Sequence, residues 1–127
     1  MKISVDPTKF RTEIIPEDTY EVTITKMTRK MSDKGHMQGY FTGIIQSGEH
    51  AKRPITTNIT VTEDSLWKAN QLYKACTGED MPQRDFENED EFLDWLFEEV
   101  NGSTCLAMVQ HREWQGETRI NVTFKGM

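Results

Sequence analysis

Cationic and flat aromatic side chains gather in two stretches of this 127-residue chain. The first, KMTRKMSDKGHMQG from Lys26 to Gly39, carries Lys26, Arg29, Lys30, Lys34 and His36, and Tyr40 follows directly. The second places Arg112, Trp114 and Arg119 around Gln115-Gly116, and Arg53 lies between the two. Ammonium and guanidinium groups neutralise phosphates, and an aromatic ring under a base contributes about 1–3 kcal/mol. The combination predicts sequence-tolerant binding of single-stranded DNA, with Lys30, Lys34, Arg53 and Arg112 on phosphates and Tyr40 and Trp114 under bases. Each feature has a structural alternative: a solvated basic turn, a tyrosine packed on a neighbouring strand, and a tryptophan clamping a hairpin.

Other chemistries find less support. Carboxylates crowd residues 79–99, as a metal-dependent nuclease would require, yet they flank a helical stripe of Phe92, Leu93 and Leu96 and read as a solvated face. Trp95 and Phe97 fall off that stripe, and aromatics beside carboxylates suggest a partner-docking surface. His36, His50 and His111 lack ligand-like spacing, and no nucleophile motif or phosphate-binding glycine loop is present. The expectation is a protein without catalysis, cofactor or metal. Cys76 and Cys105 are expected to be reduced, buried and unpaired.

A net charge of −6 argues against a nucleic-acid partner until it is located. Residues 1–62 hold nine Lys and Arg against seven Asp and Glu, residues 63–102 three against twelve, and residues 103–127 three against two. The acidity belongs to one internal segment. No apolar run approaches the ~20 residues that span a bilayer, and MKISVDPTKF lacks a signal-like apolar core. These features predict a cytoplasmic protein without membrane contact, and they leave a homo-oligomer open.

The elements that must position these residues follow from periodicity. Tyr20, Val22 and Ile24 alternate with polar residues as a half-buried strand does, and the basic stretch after them reads as a long hairpin loop. Tyr40 to Gln46 gives a second strand, with Phe41 and Ile45 facing the core and Gly43 marking a bend. Ile55, Thr57, Ile59 and Val61 give a third. Leu66, Ala69, Leu72, Tyr73 and Cys76 then take helical spacing, with Thr62 or Ser65 as cap and Gly78 as stop. A second helix starts at Asn88, capped through Glu91, and ends before Gly102. Two last strands, Thr104 to Trp114 and Thr118 to Lys125, flank Gln115-Gly116 as a hairpin. The fold class predicted is all-β with a helical insert: a five-stranded OB-fold barrel with helices between strands 3 and 4. Its ligand face would use strands two and three with the first and last loops. Residues 1–15 form an N-terminal arm, and 16–127 a single OB-fold domain whose helical insert spans about 63–102.

From Pro16 onward the chain also resembles a known family. IPEDTYEVTI at the first strand, SDKG in the first loop, the helix SLWKANQLYKACTGEDMP and the closing NGSTCLAMVQHREWQGETRINVTF are similar to small phage-encoded OB-fold proteins that look like single-stranded DNA-binding proteins. The resemblance implies binding of single-stranded DNA in phage replication or recombination, in the host cytoplasm and without a cofactor. Many such proteins recruit partners through an acidic tail, whereas VTFKGM closes this sequence. Recruitment would then fall to the acidic helices. The alternative is an OB module that docks a replication or recombination enzyme through that insert.

Overall fold

A computed structural model of the protein describes residues 15–127, including every side chain in that range except that of Trp114. The expected arm lies outside the described residues apart from Ile15. That residue is buried, and its carbonyl accepts a 2.7 Å hydrogen bond from His111 Nε2. Five strands and two helices follow: β1 (Asp18–Met31), β2 (Met37–Ile45), β3 (Pro54–Thr60), α1 (Leu66–Thr77), α2 (Glu89–Val100), β4 (Thr104–Trp114) and β5 (Glu117–Lys125). The strands form one antiparallel sheet in the order β3-β2-β1-β4-β5. Among the described residues the sheet is open, with β3 and β5 at its edges. No described helix is long and apolar enough to cross a membrane.

Strand β1 is longer than its alternation suggests, and the reason is local. A bulge falls between Ile24 and Lys26, where Ile24 pairs with Gly43 and Lys26 with Thr42. The extra residue, Thr25, shifts the inward phase from even to odd positions, so Met27 and Arg29 follow Val22 and Ile24 on the inner side. The period of two is lost to the eye, although the strand continues to Met31. The expected long loop from Lys26 to Gly39 is therefore mostly strand. Only Ser32 to His36 turn, closed by Gly35 N–H to Ser32 O at 2.9 Å and with Gly35 at φ 82°.

The inner face is mostly apolar on every strand, with Thr57 its buried polar residue. Val22 and Ile24, Phe41 and Ile45, Ile55 and Ile59, Cys105, Ala107 and Val109, and Val122 and Phe124 are all buried. Both helices cover this face, contributing Ala69, Leu72 and Tyr73 from α1 and Phe92, Leu93, Leu96 and Val100 from α2. Each fully buried Leu or Ile contributes about 1.5–3 kcal/mol, so this layer accounts for the main driving force. Gly39, the last residue of the expected loop, lies in β2 and is a seat for α2. A Cβ there would stand 2.7 Å from Leu93 Cδ2. Gly43 likewise lets β1 and β2 approach beside the bulge, where an added Cβ would meet Val22 Cβ at 3.0 Å.

Helix ends follow the sequence in three of four cases. Asn88 Oδ1 accepts from Glu91 N–H at 2.9 Å, and three carboxylates fill the first turn of α2, where the helix dipole favours negative charge. Gly78 closes α1 at φ 83°, and Gly102 follows α2 at φ 80°. The start of α1 differs: a single 3-10 turn, Glu63–Ser65, leads into it, and neither Thr62 nor Ser65 makes a side-chain cap bond.

Candidate nucleic-acid interface

Among the described residues no helix covers the outer face of the sheet, and its rows are mostly polar, with Ile44, Leu106 and Met108 among them. Cross-strand side-chain bonds define them: Thr23 with Thr104 at 2.9 Å, Thr42 with Thr56 at 3.0 Å, and Gln38 Nε2 donating to Thr60 Oγ1 at 3.1 Å. Tyr40 sits in this array opposite Asn58 and Thr28, its hydroxyl donating to Gln38 Oε1 at 3.0 Å. The ring is half-buried among short polar side chains, a shallow platform rather than a core position. Lys26 and Lys30 flank it, paired with Thr42 and Gln38, and both are exposed. Lys34 is exposed in the adjoining turn.

A second cationic group lies on the same face of the β4–β5 hairpin. Arg112 and Arg119 are directly opposed in the ladder. Like charges in that position destabilise a hairpin, and neither guanidinium has an ion pair or hydrogen bond among the described residues. Lys125 shares this face at the inner end of β5, opposite Leu106. It is not among the expected phosphate contacts, although its alternation with Asn121 and Thr123 is the signal that places it. Of the strand residues in these outer rows, Lys26, Lys30, Arg112, Arg119 and Lys125 are cationic, and only Glu21 and Glu117 are anionic. The two groups do not surround one cleft. β4 pairs with β1 only over Asp18–Thr23, so the hairpin tip extends beyond the start of β1 while Lys30 and Lys34 lie at its far end.

No protein-family model matches this chain, and no curated protein matches its sequence.

Two of the expected phosphate contacts have other partners. The bulge turns Arg29 to the helix side, where its guanidinium bridges Asp90 Oδ1 at 2.6 Å and Asp94 Oδ1 on successive turns of α2. These side-chain bonds hold its proton more tightly still. Arg53 closes the β2–β3 connection, with its carbonyl accepting from Ile45 N–H at 3.0 Å and its guanidinium 3.3 Å from His50 Nδ1. It stands near Tyr20, whose phenol is pushed up by burial and by Asp18, and donates to Pro16 O at 2.7 Å. This is the end of the sheet away from Lys30. The backbone of Trp114 closes β4 opposite Glu117, and its expected stacking role falls outside the described side chains.

The aromatics expected to dock a partner, Trp95 and Phe97, are half-buried, and Trp95 lines an open groove. Trp95 stacks on Tyr73 at 5.4 Å between ring centres and leans on Phe86, while Phe97 meets Phe41 at 6.5 Å. The exposed aromatic of the helical segment is Trp67, with 66% of its surface open. Helical spacing could have found it, because Trp67 falls off the Leu66, Ala69, Tyr73 stripe. Among the described residues no three His, Cys, Asp or Glu side chains gather as a metal-ligand set.

Proposed function

We propose that the chain is an OB-type domain that binds single-stranded DNA without catalysis, in phage replication or recombination, along the outer face of its sheet. The observation that carries this reading is two groups of cations that have no ion pair among the described residues, on the sheet face away from both helices, with Tyr40 in the first group. Backbone phosphates would lie along Lys26, Lys30 and Lys34 at one end and Arg112 and Arg119 at the other, with a base over Tyr40 inside the first group. Hydroxyl and amide rows of Thr, Asn and Gln offer hydrogen bonds without demanding a particular base. The acidic helix α2 lies on the opposite side, so it does not oppose the strand directly. An OB barrel has this sheet order when it is opened between its third and fifth strands.

Anisotropy of a labelled oligothymidine at two salt concentrations tests the reading. Binding at low salt with a steep, log-linear fall as salt rises is expected, because phosphate contacts release counterions. Absence of binding at low salt would remove the proposal. It would leave the interaction-module alternative, in which the acidic helical segment holds a replication or recombination enzyme.

A further inference from the structure

A groove of about 970 Å³ opens on the helix side, between α1 and the segment that joins it to α2. Its apolar surface comes from Leu66, Trp67, Met81, Phe86, Phe92 and Trp95. Phe86 and Trp95 pack at 5.3 Å, and Phe86 meets Phe92 edge-on at the same distance, so the floor is a fixed aromatic cluster. The outer wall is fixed as well. Asn70 Oδ1 accepts from Met81 N–H at 2.7 Å, Asn70 Nδ2 donates to Asp80 at 2.9 Å, and Glu91 holds Glu87 N–H at 3.1 Å. A wall tied at both ends is already formed before any ligand arrives, which removes an ordering cost from binding.

The charge around the groove is one-sided. Glu63, Asp80, Asp85, Glu87 and Glu89 line it, against the single cation Arg84, which lies over the Phe86 and Trp95 rings at 5.2 and 5.9 Å. An apolar floor inside a carboxylate rim complements a segment with apolar anchors between Lys or Arg residues, and it repels DNA. We infer that this groove docks a basic peptide segment of a partner protein, anchored by a large apolar side chain beside Trp67. The site is separate from the outer face of the sheet and does not depend on the DNA reading.

The chain has three tryptophans, so indole N–H resonances report the location of binding. The probe is a synthetic 12-residue peptide with two leucines four positions apart among lysines and arginines, and the control replaces every cation with glutamate. The expected result is saturable movement of the Trp67 and Trp95 indole signals by the basic peptide alone, weakening as salt rises. Trp67→Ala, at a largely exposed position, should weaken peptide affinity by about tenfold, the loss of one interfacial anchor, and leave oligothymidine affinity unchanged. Asp85→Lys combined with Glu87→Lys should abolish the preference for the basic peptide. Equal binding of the acidic control, or peptide binding that leaves both indoles in place, would overturn the proposal. Movement of the Trp67 signal with protein concentration alone would also overturn it, since the occupant would then be a second copy.

Discussion

Arg29 and Lys30 are neighbours on β1 and face opposite sides of the sheet, so substitutions there separate folding from binding. Arg29→Ala should leave oligothymidine affinity unchanged and lower stability by about 1 kcal/mol or less, since its ion pairs are partly exposed. Lys30→Ala should do the reverse, weakening binding on all sequences and reducing the salt slope by about one. Titration and urea unfolding of both variants check this; equal loss of binding would put Arg29 on the DNA. The cysteines differ in a comparable way. The Cys76 thiol is held below its usual range by its interaction with the Cys105 thiol, against the opposing effect of its burial. The Cys105 thiol is pushed up by that same contact and by burial, and its side chain is fully enclosed. Iodoacetamide at neutral pH should therefore alkylate Cys76 well before Cys105, as peptide mass mapping over time would show.

At the scale of elements, the attachment of α2 to the sheet is the joint on which both faces depend. Its inner side seats Leu93 on Gly39, and its outer side receives Arg29. Gly39→Val would drive branched methyls into Leu93, and a cost of about 1–3 kcal/mol is expected from overpacking. A lower urea midpoint with an unchanged slope would register it, and an unchanged midpoint would mean that α2 can shift. The start of α2 is a separate contribution. Asn88→Ala removes the acceptor for Glu91 N–H, at an expected cost of about 1 kcal/mol, while Asn88→Asp should retain the bond. Thermal unfolding of the two variants distinguishes a cap from a bystander. Loss of that cap should also loosen the groove wall, because Glu91 ties Glu87 from the same turn.

On the whole molecule, one sheet divides the charge. The outer rows carry Lys26, Lys30, Arg112, Arg119 and Lys125, and α2 alone carries Glu89, Asp90, Glu91, Asp94, Glu98 and Glu99 on the other side. The net −6 is thus compatible with a polyanion on one face and with a basic segment on the other. Salt should weaken both interactions, yet they should not compete, and adding oligothymidine to the peptide complex checks this directly. Mutual exclusion would show that the two faces are not independent. The hairpin tip, where Arg112 opposes Arg119, is the part of the sheet with most to gain from an anion.

Much of this architecture was legible in the residues. Alternation identified Val22, Ile24, Phe41, Ile45, Val122 and Phe124 as inward, helical spacing identified Phe92, Leu93 and Leu96, and Asn88, Gly78 and Gly116 marked their boundaries, because these are local consequences of strand period, helix period and capping. The extra residue at Thr25 is not a local signal. It reverses the facing of every later position on β1, and so removed Arg29 from the basic face and turned an expected loop into strand. Gly39 fell in the expected loop because nothing in its neighbours announces Leu93, which arrives from a helix far along the chain. Trp95 read as exposed because Tyr73 and Phe86, which cover it, come from other elements. Composition and period determined which residues could meet phosphate or apolar partners. Register and helix packing alone decided that Lys26, Lys30, Arg112 and Arg119 share one face with no ion pair among the described residues, since both are set by contacts distant in sequence.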